Sequence, residues 1–349
     1  MSVEFRTLLK KVGSGTHTHK DLTREEAYQA ATMMLKGIAT PAQIGAFLIA
    51  HRIKRPTGIE LAGMLDAYDD FGSKLNTIPN SSYPLTILGI PYDGRSRFAP
   101  ISPITALILA CHDVPVLMHG GTTMPTKYGL PLIEIWQNLG LDFTQLTLEN
   151  AQNLLQTTNF SFLYLPQHFP LAQKLVQYRD EIGKRPPLAT LELIWQPYLG
   201  ESHLMAGYVH PPTEKMIREA LHLRGVTKFT LIKGLEGSPD LKLSQTNIIA
   251  IDNPEKEENY EYLKLHPQDF NLPRKDISLE NYTDYYQQLQ QLLKGEKSPL
   301  WDSAIWNGGF YLWRTGIYNT LSEGIEATKI LLTTSKLSQK IEDIKNNLS

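Results

Sequence analysis

Residues 85–123, LTILGIPYDGRSRFAPISPITALILACHDVPVLMHGGTT, decide the architecture. The segment opens on a short apolar run at 85–88. A turn-rich stretch with Gly89, Pro91 and Gly94 follows, then an apolar run at 104–111 of helical length. A second strand-like run at 114–118 ends in Gly120-Gly121. Strand, helix, strand in this order is a crossover unit. The alternation continues, with strands expected at 160–165, 203–209, 228–232 and 247–251. Helices are expected at 131–139, 148–155, 171–181, 214–223, 278–294 and 321–333. The sequence therefore predicts an α/β domain over 85–349 with a mainly parallel sheet. In such a sheet ligands bind in the loops that follow the carboxyl ends of the strands. The charged run NPEKEENYEY at 253–262 predicts an exposed loop.

Working outward toward the amino terminus, 73–84 is polar and punctuated by Pro79 and Pro84, which predicts a linker. Residues 1–72 predict a small helical domain of three helices. Thr23 is followed by Glu26, Thr40 by Gln43, and Thr57 by Glu60, each the spacing of a capping box. Apolar residues then recur at helical spacing: Ala27, Ala30, Ala31, Met34 and Leu35; Ile44, Phe47 and Leu48; Leu61, Met64, Leu65 and Tyr68. The apolar surplus on so small a unit suits a homodimer interface.

The bulk numbers bound the function. With 349 residues, 42% hydrophobic and 20% charged, the chain can bury a sizeable core. No apolar run approaches the ~18 residues a membrane span needs, and the start MSVEFRTLLKKVGSG lacks the pattern of a signal peptide. A single cysteine, Cys111, allows no intrachain disulfide and fits a cytoplasmic setting. A net charge of -2 does not suit a protein that coats nucleic acid over its whole surface.

Four loops are placed to carry chemistry. The first holds Gly89, Asp93, Gly94, Arg95 and Arg97, two arginines beside a glycine turn running toward a helix, which suits an anion. A turn with charged decoration has the same spacing. The second, His119, Gly120, Gly121 and Thr122, offers small residues for close backbone approach and hydroxyls that donate. The third contributes Arg179, Lys184 and Arg185, although charges on a helix are commonly just solvated. The fourth, after the 228–232 strand, offers Lys233 and a glycine turn for a phosphate, with Glu236 and Asp240 as oxygen ligands for magnesium. Signatures of P-loops, zinc sites and nucleophile elbows are absent from the sequence. Cys111 lies in an apolar helical run, where a thiol is inert packing.

The order of these features resembles the anthranilate phosphoribosyltransferase family. The resemblance rests on QIGAFLIAHRIKR (43–55), ELAGMLDAYDD (60–70), the strand-end loops and WNGGFYLWRTGIYNTLSEGIEA (306–327), and it covers nearly the whole chain. It implies a helical domain that mediates dimerisation, a larger α/β domain, and a phosphoribosyl pyrophosphate site in the cleft between them. The phosphate loops depart from the family's pattern. Gly89, Asp93, Gly94 and Phe98 are kept, but Ile90, Pro91 and Tyr92 stand where the family has a threonine and two glycines, and Ala99 replaces an asparagine. Met118-His119-Gly120-Gly121 lacks the family's phosphate-gripping lysine. Arg179 falls where the family places its anthranilate-contacting arginine, with Gly183 and Arg185 at the family spacing. The magnesium-binding Asp-Glu pair corresponds to Pro239-Asp240, leaving one carboxylate and a poor grip on the metal. A diphosphate leaving group needs donors and metal aimed at its developing charge. The pattern thus matches the divergent branch of the family, which includes nucleic-acid-binding members.

Two readings follow. In the first, the chain is a pentosyltransferase with an altered phosphoribosyl pyrophosphate site and an acceptor other than anthranilate. In the second, it is a non-enzymatic dimer binding nucleic acid through a basic cleft lined by Arg95, Arg97, Lys127, Arg179, Lys184, Arg185 and Lys233. Neither reading names a general base.

Overall fold

The structure is a computed structural model and describes residues 2–348. Four helices open the chain, one more than expected: α1 (Val3–Gly13), α2 (Arg24–Leu35), α3 (Pro41–Lys54) and α4 (Gly58–Phe71). All three anticipated capping boxes form, with both reciprocal hydrogen bonds present at Thr23/Glu26, Thr40/Gln43 and Thr57/Glu60. The unforeseen α1 is capped by Ser2, which accepts from the Phe5 N–H, and buries only Phe5, Leu8 and Val12. The 73–84 segment is less free than its composition suggests. Leu75 is fully buried, donates to the Pro197 carbonyl and accepts from the Leu199 N–H.

The α/β part is built on one seven-stranded sheet. The strands are β1 (Leu85–Gly89), β2 (Val116–Gly120), β3 (Phe160–Tyr164), β4 (Ser202–Gly207), β5 (Phe229–Ile232), β6 (Asn247–Asp252) and β7 (Tyr260–Leu265). Their spatial order is β3-β2-β1-β4-β5-β6-β7. The first five pair in parallel and the last two are antiparallel. β1 and β2 are buried along their whole length, as strands covered on both faces must be. The loop expected at 253–262 is present at 253–259, but residues 260–262 belong to β7. It is the sheet's edge, so its residues alternate with charge and read as solvated.

The remaining helices are α5 (Ser102–Ala110), α6 (Leu132–Asn138), α7 (Leu148–Thr158), α8 (Leu165–His168), α9 (Pro170–Gln173), α10 (Val176–Glu181), α11 (Leu188–Ile194), α12 (Pro211–Leu223), α13 (Tyr282–Leu293), α14 (Trp301–Arg314), α15 (Leu321–Leu332) and α16 (Lys336–Asn346). The single helix expected at 171–181 is broken into α9 and α10. α5 lies against β2 and β3 with α14 and α16 behind it; α11 lies against β1 and β4, and α12 packs along α4. The order reverses at β1, which sits between β2 and β4. With right-handed crossovers, that reversal opens a crevice at the carboxyl ends of β1 and β4.

Candidate active site at the strand ends

The loops after β1, β2 and β5 meet at this crevice. The β1 loop is zipped to the β2 loop: Arg95 and Leu130 exchange both backbone hydrogen bonds, and Lys127 donates to the Gly94 carbonyl at 2.7 Å. Gly94 has φ +74° and packs on Gly129, a place where a side chain would collide with backbone.

Ile90 and Tyr92 turn inward and are buried. The Tyr92 hydroxyl lies 2.6 Å from His119 Nδ1, and His119 Nε2 lies 3.2 Å from the Trp195 carbonyl. A carbonyl only accepts, so Nε2 carries the proton and Nδ1 accepts from Tyr92. Burial pulls the His119 imidazole down to about 4, with the Trp195 hydrogen bond opposing it. The ring is therefore neutral, and both its nitrogens are engaged within the protein. Tyr92 and His119 join Trp195, Phe169 and Tyr68 in one aromatic cluster. Tyr92 thus fills the space between the β1 loop and His119.

Next to this cluster lies a network of charges. Arg95 is 2% exposed; its Nε donates to Glu236 at 3.2 Å and its Nη1 to Asp240 at 2.6 Å and to Ser238 at 2.8 Å. Asp240 also accepts from the Ile101 N–H at 3.2 Å and from the Ser102 hydroxyl. Glu236 accepts from the backbone N–H groups of Arg97 and Phe98, each at 3.0 Å, from that of Ser96 at 3.3 Å, and from the Lys127 ammonium. Burial opposes ionisation of Glu236. The Lys127 hydrogen bond, the Arg95 charge and the Arg97 N–H together outweigh it and hold the carboxyl at about 2.

Across the crevice Arg179 is 2% exposed and paired with Glu192 of α11, while Arg185 Nε lies 3.6 Å from Asp93. Burial lowers the Arg179 guanidinium to about 10, which still leaves it charged at neutral pH. Buried atoms without a partner gather here: Asp93 Oδ1, Arg179 Nε, Glu192 Oε2 and Gln173 Oε1.

The structure therefore brings Gly94, Arg95, Arg97 and Asp240 into one locus with Glu236 and Lys127, and pairs Asp93 with Arg185 near the buried Arg179. The other anticipated residues stand differently. Gly89 serves packing: a Cβ there would collide with the Leu193 carbonyl oxygen. Gly120 has ordinary room for a side chain beside Phe162, while one at Gly121 would press on Met124. Thr122 is exposed, and Lys233 is half-buried without an ion pair among the described residues. The continuous basic cleft is corrected, because Arg95, Lys127 and Arg179 are each matched by a carboxylate. Glu192 went unseen; its only signal is a lone acid in the apolar run LATLELI.

The carboxylates do not fit a resident magnesium ion. Both oxygens of Glu236 and of Asp240 already accept from cations, hydroxyls or N–H groups. Among the described residues no group of three metal-binding side chains occurs. Burial pushes the Cys111 thiol up to about 11, which disfavours the thiolate at neutral pH.

Residues 6–72 match the helical bundle domain of a glycosyl transferase family and residues 93–336 match its a/b domain. The anthranilate phosphoribosyltransferase of Thermoanaerobacter sp. (strain X514) is 25% identical over 332 residues, covering 93% of this chain and 94% of the relative. The crystal structure of the Thermus thermophilus anthranilate phosphoribosyltransferase superposes with a TM-score of 0.80 at 22% identity, covering 98% of this chain and 99% of that one. The Saccharomyces cerevisiae enzyme in complex with PRPP and Mg gives 0.82 at 14% identity, covering 100% of this chain and 98% of that one. At such identities the two structures establish the shared fold. No helix of the described residues is long and apolar enough to cross a membrane. Matched in both its helical and its α/β parts, the chain belongs to the anthranilate phosphoribosyltransferase-like glycosyl transferase family.

Proposed function

We propose that this protein is a pentosyl (glycosyl) transferase that takes a phosphorylated sugar at the switch-point crevice and passes the sugar to an acceptor other than anthranilate. The observation that carries the reading is the convergence of three consecutive backbone N–H groups, Ser96 to Phe98, with Arg95 and Lys127 at the carboxyl end of β1, in a chain of this family. Backbone donors and cations so placed stabilise a leaving phosphate. In the reaction the acceptor's nucleophile bonds to the anomeric carbon as the bond to the phosphate leaving group breaks. The leaving group keeps the electron pair, and the acceptor's proton passes to water.

The acceptor side supports the finer statement. Arg179 is buried and neutralised by Glu192, so it has no free charge for an acceptor carboxylate. An uncharged or basic acceptor suits the pair. Magnesium enters the reading only with the donor's own phosphates, because Glu236 and Asp240 are engaged. Asp93 and Gly94 would lie nearest the ribose phosphate, while His119 and Gly120 would shape the loop around it. The groove between α1 and α3, lined by Gly13, Gly45, Ala46, Ile49 and Ile53, leaves Ile53 69% exposed and supports a homodimer. A cytoplasmic setting suits the inert thiol of Cys111.

The test is calorimetry with phosphoribosyl pyrophosphate, with and without magnesium, followed by an acceptor screen. Saturable binding is expected. No binding at millimolar donor, together with salt-sensitive binding of a single-stranded oligonucleotide, would favour the nucleic-acid reading. In that case the exposed Arg97 and Lys184 and the half-buried Lys233 would hold the backbone.

A further inference from the structure

The surroundings of Glu236 are built for a larger anion than a carboxylate. Six donors from one loop and one lysine converge on it: the N–H groups of Ser96, Arg97 and Phe98, the Ser96 hydroxyl at 3.3 Å, Arg95 Nε and the Lys127 ammonium. The Arg97 guanidinium stands 3.8 Å away. A carboxylate offers about four lone-pair sites, so this cradle is over-supplied with donors. One donor is stranded: Arg95 Nη2 is buried without a partner. The charges tell the same story. Three cations, Arg95, Arg97 and Lys127, face two carboxylates, Glu236 and Asp240. With Glu236 gone, three cations face Asp240 alone, leaving a surplus that a phosphate dianion would match. Glu236 itself is held at φ +53°, a left-handed conformation that a non-glycine residue adopts only at a cost.

We infer that Glu236 is an intramolecular competitor for phosphoryl ligands: its carboxylate occupies an oxyanion cradle formed by Ser96–Phe98, Arg95 and Lys127, and a phosphate group enters only when Glu236 leaves. The inference deepens the proposed function, on whose phosphorylated ligand it rests, by naming the group that limits access to the site. Apparent affinity falls by the fraction of molecules with the cradle open.

The experiment titrates inorganic pyrophosphate, inorganic phosphate and phosphoribosyl pyrophosphate into wild type, Glu236→Gln and Glu236→Ala by calorimetry. Thermal melting is recorded with and without each ligand. Glu236→Gln keeps the size of the side chain and loses its charge. Pyrophosphate is expected to bind both variants roughly tenfold or more tighter than wild type, and to raise their melting temperatures more. Adding Lys127→Met to Glu236→Ala is expected to abolish the gain. Equal pyrophosphate affinity in wild type and in both folded variants would overturn the inference. A Glu236→Ala protein that is destabilised and restored by pyrophosphate supports it; one that millimolar pyrophosphate leaves unfolded counts against it. The transferase reading is tested separately by phosphoribosyl pyrophosphate and wild type. If wild type never binds that donor while the variants capture pyrophosphate, the cradle stands and the transferase reading falls.

Discussion

Glu60→Gln tests the electrostatic reasoning where the structure fixes it most tightly. Glu60 is 0% exposed. Its carboxylate accepts the N–H groups of Leu22 at 2.9 Å and Thr57 at 2.8 Å and the Lys54 ammonium at 2.8 Å, with His51 Nε2 at 3.4 Å. Burial opposes ionisation, but His51, the Leu22 N–H and Lys54 prevail and hold the carboxyl at about 2 against its ordinary 4.5. A depression of that size corresponds to about 3 kcal/mol of stability. Because the folded value is depressed, the contribution is fully present above pH 4.5 and is lost as pH falls toward 2. A second route agrees: removing one partner of a buried ion pair costs about 3–5 kcal/mol. Glutamine mimics the protonated acid, so Glu60→Gln is expected to lose about 3 kcal/mol at pH 7, shrinking to about 2 at about pH 3.5 as wild type gives up the same interaction. Urea denaturation followed by far-ultraviolet circular dichroism reads both. A loss under about 1 kcal/mol at neutral pH, or one independent of pH, would refute the reasoning.

Other expectations follow from the same structure. Gly89→Ala drives a methyl group onto the Leu193 carbonyl and should cost about 3 kcal/mol or more, read as a lowered melting temperature; a neutral result would mean α11 can shift away from β1. Glu192→Gln frees the buried Arg179 charge, so the variant should gain affinity for aromatic carboxylates such as anthranilate, measured by fluorescence titration; unchanged affinity would remove Glu192 from the acceptor argument. His119, pulled to about 4 from 6.5 chiefly by burial, favours the fold in its neutral form. Its contribution of about 3 kcal/mol is present above pH 6.5 and is lost as pH falls toward 4. Unfolding at about pH 5 should therefore take up a proton that a His119→Asn variant does not.

The amino-acid sequence determined what depends on neighbours in the chain. Thr23, Thr40 and Thr57 specify helix starts because a hydroxyl reaches an N–H only three residues away. The apolar runs at β1, β2 and β3 specify buried parallel strands because both faces of the sheet are covered. Tertiary structure decided what depends on partners far along the chain. α14 carries Gly308-Gly309 in mid-helix, a poor local signal, yet a side chain at Gly309 would strike the backbone of α15 at Ile325, 2.8 Å away. The first residues of β7, 260–262, read as the end of a charged loop until pairing with β6 makes them part of an edge strand. The site divides the same way. Asp93, Gly94, Arg95 and Arg97 were legible because they lie in the loop that follows a strand, and Arg179 because its helix resembles the family's. Their electrostatic state was not. Arg95 meets Glu236 and Asp240 across 141 and 145 residues, and Arg179 meets a glutamate on a different helix. A cation's availability depends on what folding sets beside it, because a buried charge must be matched wherever in the chain its partner lies.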